Sequence, residues 1–244
     1  MRYELLTMLG GLFSSGKNSG GEVHKRSVTI ESGSYDYQIY VPQTAIAESL
    51  PTLVFLHGIR ERGTGGFLPD EGMGAMLLRQ YLAQVPAIIL LPQCRLGSYW
   101  TDSVMDAMVM QSLAQTIEEF AADEHRVSLI GVSMGGYGVW HFAAEHPNRF
   151  AALVSICGGS PILSGERFAS IAEKVGGTPA WLFHGDADPI VPVSESREMV
   201  KALKAVGSNV KYSEFAGIGH NVWMNALAEK QLLPWLLSNR LTQR

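Results

Sequence analysis

The chain has 244 residues, of which 46% are hydrophobic and 17% charged, a globular balance with apolar material for one large domain or two small ones. A net charge of −4 leaves no basic footprint for nucleic acid and no acidic tail. Two cysteines, Cys94 and Cys157, are too few for a disulfide framework or a zinc cluster, and no apolar run reaches the ~18 residues of a membrane span.

In chain order, residues 1–21 read as an arm. Leu5–Phe13 is mildly apolar and follows Arg2, as in a signal peptide, but Glu4 precedes it, Gly10 and Gly11 interrupt it, and no A-x-A site follows. Ser14–Gly21 has the composition of a flexible linker. Residues 22–244 show no composition break and read as one domain. Ser27–Ile30 and Tyr35–Tyr40 flank Ser32-Gly33-Ser34 as two strands of a hairpin. Short apolar runs follow at Thr52–Leu56, Ala87–Leu91, Val127–Gly131, Ala151–Ile156, Ala180–His184 and Val210–Phe215. Several lack polar alternation, as strands buried on both faces do. Both cysteines follow such runs, which predicts buried free thiols.

Helical spacing fills the gaps. Val109, Leu113, Ile117 and Phe120 recur at helical intervals within Val104–Ala122. Val193–Val206 has Ser194 as its expected N-cap and Gly207 as its C′ glycine. A short helix fits Glu166–Lys174, and Pro234 can open a last apolar turn. An antiparallel start followed by βα repeats predicts an α/β fold with a mostly parallel sheet and helices on both faces. Chemistry is then expected at the carboxyl ends of the strands. The segment between Ala151–Ile156 and Ala180–His184 is too short for a cap domain.

The strongest chemical signal is Gly131-Val132-Ser133-Met134-Gly135, between a strand and a helix that runs to about Glu145. This is G-x-S-x-G in the context that makes it a nucleophile elbow, with glycines where strand and helix nearly touch. A serine needs a base, and on such elbows an acid and then a histidine follow in the chain. His141 and His146 lie on the helix after the serine and point away along it; His184 ends a strand. His220, in the loop Gly217-Ile218-Gly219-His220, is the expected base. The acid falls in His184-Gly185-Asp186-Ala187-Asp188-Pro189-Ile190-Val191-Pro192. Asp188 is expected by its H-G-x-x-D-x-x-V-P spacing, with Asp186 as the alternative and as a turn cap. Backbone amides of Met134 and of Ile59, in Leu56-His57-Gly58-Ile59-Arg60-Glu61-Arg62-Gly63, are the expected oxyanion donors. His57 reads as a packing residue. Arg60, Glu61 and Arg62 form a solvated charge run, a brace for the loop, or a greeting for a substrate carboxylate.

Together these pieces resemble the predicted-peptidase or carboxylesterase-like branch of the α/β-hydrolases, related to polyhydroxybutyrate depolymerase-like and feruloyl-esterase-like enzymes. The resemblance is carried by Leu53–Gly63, Leu90–Cys94, Tyr99–Asp102, His125–Trp140, Ser155–Gly159, His184–Ser196 and Gly219–Trp223. It implies the α/β-hydrolase fold and a serine carboxylic-ester hydrolase working through an acyl-enzyme on Ser133. The expected substrates are short-chain or aryl esters, small molecules held in an open site with no cofactor or metal. Trp100 and Trp223 are implied near the pocket, supplying apolar walls with a polar N–H. A peptidase or thioesterase on the same three residues is the alternative, and a non-catalytic binding module on this scaffold a remote one. The expected location is cytoplasmic, with secretion as the alternative; oligomeric state is not readable.

Overall fold

The computed structural model describes residues 21–43, 49–64, 85–162 and 165–241. The expected arm over residues 1–21 lies outside them except for Gly21, the first residue of strand β1. Strands β1 (Gly21–Ile30) and β2 (Gly33–Pro42) form an antiparallel hairpin whose register pairs Ile30 with Gly33. Its turn is therefore Glu31-Ser32, and both strands outrun the sequence expectation. Half of the β1 residues are exposed and only Val28 of this strand is buried, so its first half carries no apolar alternation, and its pairing with β2 is what extends it.

The sheet continues through β3 (Thr52–Leu56), β4 (Ile88–Pro92), β5 (Val127–Val132), β6 (Ala152–Ile156), β7 (Ala180–Gly185) and β8 (Val210–Phe215). The eight strands lie in the order β1-β2-β4-β3-β5-β6-β7-β8. Only β1–β2 and β2–β4 are antiparallel; every other pair is parallel. This is the mostly parallel sheet with an antiparallel start that the sequence predicts. No cap domain occurs among the described residues.

The unbroken apolar runs have a simple cause: strand side chains alternate between faces, and here both faces are covered. Val54, Leu56, Leu90, Leu129, Leu153 and Leu182 pack under α1 (Ser103–Glu119), α2 (Met134–Glu145), α3 (Arg167–Val175) and α4 (Ser194–Ala205). The intervening Leu53, Phe55, Ile89, Ile130, Val154 and Phe183 face α5 (Trp223–Leu227) and α6 (Leu232–Ser238). Each such buried side chain contributes roughly 1.5–3 kcal/mol. The half-exposed pair Arg26–Glu119, which links β1 to α1, is of a kind worth at most about 1 kcal/mol. Apolar layers, not ion pairs, hold the hairpin and helices to the sheet.

Helix α4 starts one residue earlier than its expected cap implies. Val193 already has helical φ and ψ, and the Glu195 amide bonds Pro192 O, so Ser194 is the first helical residue and not the N-cap. Its end is as expected: Gly207 has φ +75°, its amide bonds Lys204 O, and the Ser208 amide bonds Leu203 O. Cys94 and Cys157 are buried free thiols.

The tightest backbone packing lies where α2 leaves β5. A Cβ on Gly131 would collide with the Gly135 carbonyl, one on Gly135 with Leu56 O, and one on Gly136 would stand 2.7 Å from Gly158 Cα. Gly135→Ala is therefore expected to destabilise the fold by about 1–3 kcal/mol or more, because backbone has to give way. Gly177→Ala, with open space around it, should change stability by less than about 1 kcal/mol. Urea unfolding of the two variants side by side checks the difference.

Candidate active site

Ser133 sits between β5 and α2 with φ 54° and ψ −115°. A non-glycine residue at positive φ is strained, and three bonds hold it there. Its amide donates to Ile156 O on β6 at 2.9 Å, and its own carbonyl accepts from the amides of Gly136 and Tyr137. The turn raises Ser133 at the carboxyl edge of the sheet, beside the first turn of α2.

His220 arrives from the loop after β8. Its Nε2 lies 2.8 Å from Ser133 Oγ and its Nδ1 2.7 Å from Asp188 Oδ2. The ring stands edge-on to Trp223, with centroids 6.2 Å apart. Asp188 lies on the loop after β7, its carboxylate wholly buried. Oδ1 accepts from the amides of Ile190 (2.8 Å) and Val191 (3.0 Å). Burial, the largest influence on this acid, pushes its pKa up; the bond from His220 and the two amides outweigh it and hold the carboxyl below its ordinary value.

Asp186, the alternative acid, faces elsewhere. It is exposed, and Oδ1 accepts the Gly217 amide at 2.6 Å. With Ala187 N bonded to Ile218 O, it ties the acid loop to the histidine loop. The two loops touch so closely that a Cβ on Gly185 would collide with Ile218 O. His141 and His146 are turned away, both towards Asp106 on α1, at 3.2 and 2.9 Å.

The segment after β3 passes beside the serine: a Cβ on Gly58 would lie 3.9 Å from Ser133 Cβ. A 3-10 turn, Ile59–Glu61, begins there. The amides of Ile59 and Met134, each first in its helix, are the kind of donors that a helix start leaves without an intrahelical partner. The turn is braced from beneath. Gly58 N donates to buried Glu61 Oε2, Gln93 Nε2 donates to Glu61 O, and Gly63 N donates to Cys94 O. Arg62 donates to Ile59 O and Ser98 O and lies over the Tyr99 ring, so it braces the loop. Glu61 thus takes the bracing role that was one reading of its charge run, whereas Gln93 was not legible as a support, because it bonds backbone 32 residues away.

His57 is fully buried behind this turn. The Cys94 amide donates to its Nε2 at 3.0 Å, so the ring proton is on Nδ1, which donates to Gly58 O at 2.7 Å. Its carbonyl accepts the Trp100 indole N–H at 2.9 Å. Trp100 has 0% exposure and so offers no wall to a ligand. It supports the turn instead, a correction to its expected place by the pocket, and its apolar ring is buried in the layer beneath α1. Trp223 is half-buried against His220.

Residues 101–231 match the model of the phospholipase/carboxylesterase family. The chain belongs to that family. At the family level it is a carboxylesterase-type serine hydrolase of the α/β-hydrolase superfamily. It is 31% identical to a thermostable esterase of known structure, with a TM-score of 0.79 over 89% of this chain and 63% of that one. It is 29% identical to an acyl-protein thioesterase 1 of Neurospora crassa over 75% of this chain and 85% of that protein. Over 45% of its length it is 28% identical to an acyl-protein thioesterase 1 of Gibberella zeae, spanning 49% of that relative.

His57 makes the brace sensitive to acid. Burial foremost, and Arg62 beside it, lower its pKa to about 4, against the pull of the Gly58 carbonyl. Between the unfolded imidazole's ~6.5 and that value the unfolded chain binds a proton that the folded chain refuses, so stability falls as pH falls through this window. A loss on the order of 2 kcal/mol from this residue is expected between pH 8 and pH 5. Urea midpoints across that range check it, and a His57→Gln variant should show a correspondingly flatter dependence.

Proposed function

We propose that this protein hydrolyses carboxylic esters through an acyl-enzyme on Ser133. The observation that carries the reading is the hydrogen-bonded chain Ser133 Oγ–His220 Nε2–His220 Nδ1–Asp188 Oδ2, at 2.8 and 2.7 Å. His220 takes the hydroxyl proton as Ser133 attacks the acyl carbon, then returns it to the leaving alcohol. Asp188 holds the Nδ1–H tautomer and stabilises the imidazolium. The amides of Ile59 and Met134 receive the oxyanion, where such donors supply roughly 3–4 kcal/mol each to the transition state. Water then attacks the acyl carbon as His220 takes its proton, and the bond to Ser133 Oγ breaks as His220 returns that proton to Oγ, releasing the carboxylic acid. No redox or metal step enters this scheme.

Short-chain or aryl esters are the proposed substrates, small molecules in a site formed by residues 22–244 as one catalytic domain. The partial exposure of Ser133 and His220 and the exposed side chains of Ile59 and Ile190 support this, since they leave the serine approachable and offer apolar contact. Trp223 is proposed as the wall beside the base. Thioester cleavage is the second reading, favoured by the acyl-protein thioesterase relatives; peptide cleavage has no comparable support. Among the described residues no helix is long and apolar enough to cross a membrane. The two buried, unpaired thiols support a reducing, cytoplasmic location.

The test is a ladder of p-nitrophenyl esters from acetate to palmitate, with a matched acyl thioester, and labelling by a fluorophosphonate. Wild type should turn over the short esters and become labelled at Ser133; a binding module would do neither. Ser133→Ala should lower kcat by about 10⁴–10⁶. Asp188→Asn should cost about 10⁴, with the fold retained, by imposing the wrong tautomer. An active Asp188→Asn beside an inactive Asp186→Asn would transfer the acid role to Asp186.

A further inference from the structure

Behind the proposed triad lies a second histidine that the scheme above does not use. His184, the fifth residue of β7, is wholly buried. Its Nε2 faces two oxygens, Val191 O at 2.9 Å and Asp188 Oδ2 at 3.3 Å. Facing only acceptors, Nε2 carries the ring proton, so Nδ1 is the acceptor and Ser196 Oγ of α4 donates to it at 2.7 Å. Ser196 is itself buried. The geometry points to His184, held in this tautomer by Ser196, as a positioning residue that fixes the Asp188 carboxylate and moderates its charge towards His220.

The inference rests on the triad reading and adds its rear half. Asp188 accepts three hydrogen bonds, from two amides on Oδ1 and from His220 on Oδ2, and the His184 N–H that bonds Val191 O stands 3.3 Å from Oδ2 as a further polar donor group. A donor on Oδ2 draws off part of the negative charge that would otherwise face the imidazolium of His220. It also restrains the carboxylate plane, because Val191 both donates to Asp188 and accepts from His184. His184 stays neutral in this role, since burial foremost lowers its pKa. The other titratable groups around the cluster are the Cys157 thiol, pushed by burial to about 12, and Tyr137, raised by burial and by Glu195. Glu214 pairs with His184 across β7–β8 and is neutralised by Arg197.

The consequence has a direction. Losing the His184 donor leaves more charge on Oδ2, favours the imidazolium, and moves the acidic limb of the activity profile to higher pH. The experiment measures the second-order rate of fluorophosphonate inactivation against pH, with thermal midpoints, for wild type, His184→Leu, His184→Gln and Ser196→Ala. In His184→Leu the acidic limb should move up by about half to one pH unit, and the plateau rate should fall about tenfold. His184→Gln, which keeps a side-chain N–H, should recover most of both effects. Ser196→Ala should move the limb the same way by less, and remains informative if the leucine variant fails to fold. Folded variants with an unmoved limb and an unchanged plateau would overturn the inference while leaving the triad in place. Absence of Ser133 labelling in wild type would overturn the triad reading and this inference with it.

Discussion

The proposed catalytic edge of this molecule depends on one steric constraint, the approach of α2 to the ends of β3 and β5 with no side chain between them. Gly131, Gly135 and Gly136 leave room only for hydrogen where backbone meets backbone. That contact allows Ser133 its positive φ and places it beside Gly58 of the neighbouring strand's loop. The strain of such a backbone, of order 1–3 kcal/mol, is borne by surrounding hydrogen bonds and by the two apolar layers. A larger residue at any of these points would move the serine and the adjacent amides together.

Around that contact, support is recruited from separate parts of the chain. The turn after β3 is held by His57, Glu61 and Arg62 from within and by Gln93, Cys94 and Trp100 from the loop after β4. This explains why the stretches Leu90–Cys94 and Tyr99–Asp102 accompany the serine motif: they supply the bed on which the Ile59 amide rests. The acid side is built in the same way. Asp186 joins the two loops, while Asp188 is buried among donors, and a buried carboxylate stays ionised only when such donors compensate its lost water.

The helix face away from the site uses titratable groups differently. Asp106 of α1 sits between His141 and His146 of α2 and its C-cap, and their bonds outweigh the upward push of burial to keep its carboxyl below the ordinary value. Three residues that could pass for a catalytic cluster in composition thus join two helices. Distance from Ser133 along α2 is what separates them from the site.

Period and punctuation in the sequence determined the strands of the parallel core, the extents of α2 and β8, the end of α4 at Gly207, and the elbow at Ser133. These features depend on residues close together in the chain, where apolar runs and glycines express local geometry directly. The expected order of serine, acid and histidine came instead from the pattern that follows such elbows. Only tertiary structure decided which oxygens and nitrogens meet. It gave Asp188, the acid expected from its spacing, the His220 ring as partner and Asp186 the Gly217 amide, buried Trp100 under the loop that it was expected to border, extended β1 by pairing it with β2, and placed His184 behind Asp188. An indole's exposure or a histidine's partner follows from what packs against it across tens of residues, and no local spacing records that.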